Sequence, residues 1–178
     1  MRYASTAYRT FSLGDSLSTN RKTIYDGHIL SLVIQDNKWE IIEHAEAVAV
    51  LIMRGREVLG VMQPRPAISQ TTWELPAGLI DEGETPLEAA KRELAEEVQL
   101  TGDLELITQF YTSPGFTNEK LYVFEAKNLS EAYAQPDADE NIQLSWRDVD
   151  EIWEEIKQGK VAASSPTVLA LSWARGKK

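Results

Sequence analysis

Three glutamates in one short segment are the residues of this sequence best suited to chemistry. Glu93, Glu96 and Glu97 follow Arg92 within Pro86–Val98, where apolar residues recur at helical spacing. At about 100° per residue, the three carboxylates share one sector of the helix, clear of the apolar stripe. Like charges at this spacing repel by roughly 0.2–0.5 kcal/mol per pair, and a hard divalent cation such as Mg²⁺ would convert that repulsion into binding. The alternative is an ordinary solvated acidic face.

The arginine and the start of this helix indicate how the carboxylates are positioned. Thr85-Pro86-Leu87-Glu88 has the pattern of a capping box, with proline suited to the first helical position. Arg92 lies four residues from both Glu88 and Glu96, so we expect it to hold one carboxylate in a fixed orientation.

The remaining elements predict an α+β fold in which helices pack on a mixed sheet. The predicted strands are Ile29–Ile34, Trp39–Ile42, Ala47–Met53, Glu57–Met62, a short one near Trp73–Leu75, Leu104–Tyr111, Leu121–Ala126 and Ile142–Trp146. The predicted helices are Pro86–Val98, Val149–Lys157 and a last one from Ser165 to Trp173. The rest of the segment from Gln63 to Gly78, with three prolines, is expected to be a loop.

Composition excludes several classes of protein. The 178 residues include 18 Lys and Arg against 28 Asp and Glu, a net charge of −10 that opposes binding of long nucleic acid. Cysteine is absent, which excludes disulfides and thiolate chemistry. No apolar run reaches the ~18 residues of a membrane span, and the first twenty residues do not resemble a signal peptide. We therefore expect a soluble, cytoplasmic protein that does not bind membranes.

The spacing around the three glutamates resembles the Nudix box. Gly78 is followed after five residues by Glu84, and after seven more by Arg92-Glu93-Leu94-Ala95-Glu96-Glu97. Only the last glycine of the box differs, because Gln99 stands in its place. That glycine usually allows a left-handed turn, which glutamine adopts only with strain.

Segments on both sides of the box are similar to the ADP-ribose pyrophosphatase branch of the Nudix family. They are Glu43-His44 before Ala47–Leu51, Gln63–Pro66, Trp73–Gly78, the Ser113–Glu119 loop with Pro114, and the acidic loop Asp137–Ile142. The resemblance implies a Nudix-type α/β/α sandwich over residues 44–178. It also implies a short N-terminal β-arm over residues 1–43 that forms a homodimer.

The resemblance also implies the metal site and the catalytic residues. Glu93, Glu96, Glu97 and the backbone carbonyl of Ala77 would hold Mg²⁺, with Mn²⁺ as a substitute. Arg92 would orient a box carboxylate, and Glu84 would shape the loop without binding the metal. The base that activates the water is Glu140 in the late acidic loop or Glu97 in the box itself.

The candidates for substrate binding are Arg65, Glu74, Pro114 and Glu119. Arg65 suits a phosphate or ribose contact because a guanidinium fork matches phosphate oxygens. Glu74 and Glu119 are candidates for ribose hydroxyls or the adenine edge, and all of these charged residues have a purely structural alternative. Trp73 is expected in the core, and we assign no role to His28 or His44.

For this branch, the implied reaction is hydrolysis of ADP-ribose, a small nucleoside diphosphate, to AMP and ribose 5-phosphate. Another nucleotide sugar or dinucleotide, such as GDP-mannose or NADH, is the main alternative substrate. A third possibility is a regulator that binds ADP-ribose without turnover. The retained glutamates argue against that interpretation.

Overall fold

The computed structural model describes residues 20–134 and 143–177. Within that part of the chain the strands are β1 (Arg21–Asp26), β2 (Leu30–Gln35), β3 (Trp39–His44), β4 (Ala47–Arg54), β5 (Glu57–Arg65), β6 (Gln70–Glu74), β7 (Ala77–Leu79), β8 (Leu100–Tyr111), β9 (Lys120–Glu131) and β10 (Gln143–Asp148). The helices are α1 (Pro86–Val98), α2 (Val149–Lys157) and α3 (Ser165–Gly176), with a 3-10 turn at Pro66–Ile68.

The main sheet has seven strands and is mixed, as predicted. Its path runs β10-β5-β4-β9-β8, with β6 beside β5 and β7 beside β4. The central pair β4 and β9 is parallel, and the other neighbours are antiparallel.

Helices cover both faces of this sheet, which confirms the predicted α/β/α sandwich. Every residue of Ala47–Ile52 is buried, as expected of a strand covered on both faces. The odd-numbered residues of this segment belong to the core that contains α2 and α3, and the even-numbered ones to the core that contains α1. Trp73 lies in the first core and is 1% exposed, as expected.

Helix α1 has the predicted limits because both of its ends are capped. The Thr85 hydroxyl accepts from the Glu88 backbone while the Glu88 carboxylate accepts from the Thr85 backbone, so the capping box is complete. Glu88 is therefore engaged by Thr85. Of the two carboxylates four residues from Arg92, Glu96 is the one that Arg92 binds. At the other end, Gln99 adopts the left-handed conformation with a φ of 57°.

Two strands were not expected. β1 is exposed along its whole length, so the alternation that reveals a half-buried strand is missing from its sequence. β7 has three residues and lies where a loop was predicted. It forms because Ala77, Gly78 and Leu79 pair with Ala49, Val48 and Ala47 of β4.

The three N-terminal strands form a separate antiparallel sheet in the order β1-β2-β3. The free edge of β3 contacts the loop between β8 and β9, where Ile42 forms a parallel bridge with Thr117. The division into an arm over 1–43 and a domain over 44–178 stays a prediction. Among the described residues, no helix has the length and apolar character needed to cross a membrane.

Candidate active site

Arg92 ties the loop before α1 to the acidic face of the helix. Its Nε and Nη2 donate to the two oxygens of Glu84 at 3.1 and 3.0 Å. Its Nη1 donates to Glu93 at 2.6 Å and to Glu96 at 3.2 Å. Its Nη2 also donates to the carbonyl of Leu79 at 2.8 Å. One guanidinium therefore orients three carboxylates, where the spacing predicts one.

This network favours the charged forms of Arg92 and Glu84. The hydrogen bonds that Arg92 donates to Glu84 raise the pKa of Arg92. The bonds from Arg92 in turn lower the pKa of Glu84 below its ordinary value. Glu84 also accepts from the backbone N–H of Asp81 at 3.2 Å, which fixes the loop that precedes the helix.

Glu93 and Glu97 lie against β7 and are almost fully buried, with 8% and 6% of their surface exposed. Glu97 accepts from the backbone N–H of Ala77 at 2.9 Å. Gly78 leaves the space that Glu93 occupies, because a Cβ on this glycine would lie 1.8 Å from Glu93 Oε1. A side chain at this first glycine of the motif would therefore displace the Glu93 carboxylate from its position against β7.

The pairing of β7 directs the backbone groups of Ala77 toward the acidic helix. Pro76 O accepts from the N–H of Val50, Gly78 is paired with Val48, and the N–H of Ile80 donates to Glu46 O. Residues 76, 78 and 80 therefore face β4 and the residue that precedes it. In an antiparallel ladder the alternate residues point their backbone groups the other way. The N–H of Ala77 accordingly reaches Glu97, and the carbonyl of Leu79 reaches Arg92. The carbonyl of Ala77 lies on the same edge of β7 as these two groups.

The donor chemistry of this edge fits a hard divalent cation. Carboxylates and a backbone carbonyl are the oxygen ligands that Mg²⁺ and Mn²⁺ accept. Among the residues described, however, no three acidic or histidine side chains are gathered as a ready-made metal group. Arg92 binds both Glu93 and Glu96, and Glu97 accepts from the Ala77 amide. These contacts explain why the three carboxylates are not gathered around one point.

Arg65 and Glu74 form a second group beside Glu97. Two nitrogens of Arg65 donate to the two oxygens of Glu74 at 2.9 and 3.0 Å, and Thr72 donates to the same carboxylate. Burial alone would raise the pKa of Glu74, but the hydrogen bonds from Arg65 and Thr72 bring its pKa below the ordinary value. The hydrogen bonds that Arg65 donates to Glu74 raise the pKa of Arg65, and the negative charge of Glu97 adds to this shift.

Gln63 is a site residue that the sequence interpretation missed. Its Nε2 lies 3.5 Å from Glu97 Oε1. The period of two along a strand is the signal that could have found it, since Gln63 and Arg65 lie on the same side of β5.

The structure places Pro114 and Glu119 in a different group. Both belong to the loop between β8 and β9, where Glu119 accepts from the Thr112 hydroxyl at 2.6 Å. Backbone hydrogen bonds and a β-bridge join this loop to β3. Glu140 lies outside the described residues.

A mixed sheet between helices, with an arginine-ordered acidic helix on one side, defines the class of protein. The family profile of the NUDIX domain matches residues 43–170. The chain therefore belongs to the NUDIX family.

Individual relatives agree with this assignment. A Bacillus subtilis (strain 168) protein named ADP-ribose pyrophosphatase is 38% identical over 136 residues, covering 70% of this chain and 74% of that protein. A Bacillus methanolicus protein named methanol dehydrogenase activator is 34% identical over 162 residues, covering 84% and 87%. A solved structure described as an ADP compounds hydrolase has a TM-score of 0.67 at 19% identity, covering 92% and 98%, and supports the fold.

Proposed function

We propose that this protein hydrolyses ADP-ribose to AMP and ribose 5-phosphate with the help of a divalent cation. The observation that carries the proposal is the Arg92-ordered face of α1 against β7, in a chain 38% identical to a protein named ADP-ribose pyrophosphatase. The reaction is attack of water on one phosphorus of the diphosphate. The bond from that phosphorus to the bridging oxygen breaks.

Glu93, Glu96, Glu97 and the carbonyl of Ala77 are the groups that would hold Mg²⁺ or Mn²⁺. When bound, such a cation neutralises the diphosphate and stabilises negative charge on the leaving oxygen. Arg92 keeps Glu93 and Glu96 on one side of the helix and is therefore a positioning residue. Glu84 acts through Arg92, which it anchors with both oxygens.

Glu97 and Glu140 are the two candidates for the base that takes the proton of the attacking water. Glu97 is nearly buried beside Ala77 and Gln63, where a carboxylate is shielded from bulk solvent. Glu140 is the residue that the family resemblance favours. Glu140→Gln separates the two, because removal of the general base lowers kcat by about 10²–10⁴-fold. A kcat near that of wild type in this variant would leave Glu97, which is also a proposed metal ligand, as the base.

Arg65 is proposed to contact a phosphate or ribose oxygen of the substrate. Its side chain is 46% exposed, although two of its nitrogens already bind Glu74. Glu74 then fixes the guanidinium beside the acidic helix. Glu119 and Pro114 form the other boundary of the substrate site in this proposal.

The proposed homodimer forms through the N-terminal arm. Ile24, Tyr25 and Ile29 in and beside β1 are 47%, 59% and 64% exposed, a concentration of apolar surface that a second copy would cover. Light scattering coupled to size exclusion should give twice the chain mass for the wild type and the single mass for Ile29→Glu. Leu144→Glu, a change at an exposed leucine of β10, is the matched control and should stay dimeric.

Hydrolysis of ADP-ribose, GDP-mannose and NADH with Mg²⁺ tests the proposed function, beside a Glu97→Gln variant. Preferred turnover of ADP-ribose that is abolished in the variant supports the substrate and the site. Turnover of another member alone would contradict the substrate and keep the chemistry.

A regulatory role is the second candidate, and the relative named as a methanol dehydrogenase activator favours testing it. Binding of ADP-ribose without turnover of any member of the panel would replace the enzyme with a regulator.

A further inference from the structure

The loop between β8 and β9 is built onto the N-terminal sheet by backbone hydrogen bonds. The N–H of Ile42 donates to Phe116 O at 2.7 Å, and the N–H of Asn118 donates to Ile42 O at 3.3 Å. With the bridge between Ile42 and Thr117, residues 116–118 extend the edge of β3 as a short parallel strand. The position of the loop therefore depends on β3.

His44, the last residue of β3, completes this junction with two further contacts. Its backbone N–H donates to Asn118 Oδ1 at 2.9 Å. Its ring Nδ1 lies 2.8 Å from the carbonyl of Ala45 and 3.6 Å from Glu119 Oε1. A carbonyl oxygen only accepts, so Nδ1 carries a proton. The same N–H group faces Glu119.

Glu119 is held from both sides in this arrangement. The Thr112 hydroxyl donates to Oε2 at 2.6 Å, while Oε1 faces His44. The side chains of His44 and Glu119 are 18% and 27% exposed, so the pair is shielded from solvent on most of its surface. A contact between partly buried polar groups is worth more than one in open water.

We infer that His44 is a positioning residue for substrate binding: it fixes Glu119 and the loop that carries Pro114 relative to β3. This inference rests on the proposed function, in which Glu119 and Pro114 bind the substrate. His44 does not touch the reacting atoms, so its removal should weaken binding and leave the chemical step nearly unchanged.

Steady-state kinetics of His44→Ala and His44→Asn test the inference. In the alanine variant we expect KM for ADP-ribose to rise about tenfold, because Glu119 loses the ring contact that positions it, with kcat within about threefold of wild type. Asparagine places an amide nitrogen near the position of Nδ1 and should restore most of the affinity. His28→Ala, which removes an exposed histidine from the turn between β1 and β2, is the matched control and should leave KM unchanged.

A double-mutant cycle with Glu119→Gln checks that the effect passes through Glu119. Glutamine keeps the size of the side chain and its acceptor for Thr112. We expect the two changes together to raise KM by less than the product of the single effects. Independent effects of the two changes, an unchanged KM in His44→Ala, or an asparagine variant as weak as alanine would each overturn the inference.

The same measurements separate this inference from the proposed function. If the wild type neither binds nor hydrolyses ADP-ribose, the proposed function fails, and His44 loses its proposed substrate with it. If the wild type hydrolyses ADP-ribose and His44→Ala has the wild-type KM, the inference about His44 fails alone.

Discussion

At the scale of single residues, two side chains decide the shape of the acidic face of α1. Arg92 is shared by Glu84, Glu93 and Glu96, and Gly78 leaves the volume that Glu93 fills. Arg92 provides hydrogen-bond donors, and Gly78 provides space for a side chain. A single substitution can remove either contribution without the other.

Arg92→Lys should lower activity by about 10–100-fold, the effect of losing a partner that orients metal ligands. Lysine keeps the charge but has no planar fork for Glu84. We also expect half-maximal activity to require more Mg²⁺, which a titration of the metal measures. Arg54→Lys, in an exposed pair with Glu57, is the control. Equal Mg²⁺ dependence of wild type and Arg92→Lys would contradict the positioning role.

Gly78→Ala should destabilise the protein by about 1–3 kcal/mol, the range for overpacking a tight site. The added methyl would overlap Glu93, which would have to leave its position against β7. Urea denaturation and activity measure the two consequences. Gly176→Ala is the control, because nothing lies within 4 Å of its Cβ position. A fully stable and active Gly78→Ala variant would show that Glu93 can lie elsewhere.

At the scale of elements, the sequence predicts best where the local chemistry is complete. Helices α1 and α2 have the predicted limits. α1 carries its own capping box, and Asp148 caps α2 by accepting from the N–H groups of Asp150 and Glu151. β7 has no such local cause, because its three residues become a strand only when β4 is beside them.

The candidate site could likewise be predicted from the sequence only where local geometry determines it. Helical geometry alone predicts that the acidic residues of α1 lie on one face of the helix. The contact of Glu97 with Ala77 and the pairing of Arg65 with Glu74 require elements that meet only in the folded protein. His44 had no partner at any informative spacing, since Glu119 is 75 positions away.

Gln99→Gly should stabilise the protein by about 0.5–1 kcal/mol. Glycine removes the cost of a left-handed residue after α1, offset in part by loss of the bond from Gln99 Nε2 to Ala134 O. Gln158 ends α2 with a φ of −82°, so Gln158→Gly should destabilise instead. Thermal unfolding of both variants gives the comparison. A less stable Gln99→Gly would show that the amide contact outweighs the strain.

At the scale of the whole molecule, ion pairs between neighbouring elements make the stability of the fold depend on pH. The pKa of Glu74 is lowered in the folded protein, so its contribution is present above the ordinary carboxyl pKa of about 4.5. That contribution is lost as the pH falls through the lower pKa of the folded state. Acid should therefore weaken the junction of β5 and β6.

Glu74→Gln should lower the free energy of unfolding at pH 7 by about 2 kcal/mol, between the values for exposed and buried pairs. Its stability should also fall less steeply than that of wild type as the pH is lowered below about 4.5. Urea denaturation at a series of pH values measures both effects. Glu57→Gln, which breaks an exposed pair, is the control. Parallel pH profiles for wild type and Glu74→Gln would exclude this source of acid sensitivity.

The parallel pair at the centre of the sheet has a consequence for synthesis of the chain. Ala47 of β4 lies opposite Leu121 of β9, 74 positions later in the sequence. At the usual 5–20 residues per second, the ribosome makes β4 about 4–15 seconds before its partner exists. During that interval β5 and β7 can pair with one edge of β4, but the edge that β9 later covers stays open on a strand that is apolar on both faces. We therefore expect the nascent chain to depend on a holding chaperone until β9 emerges.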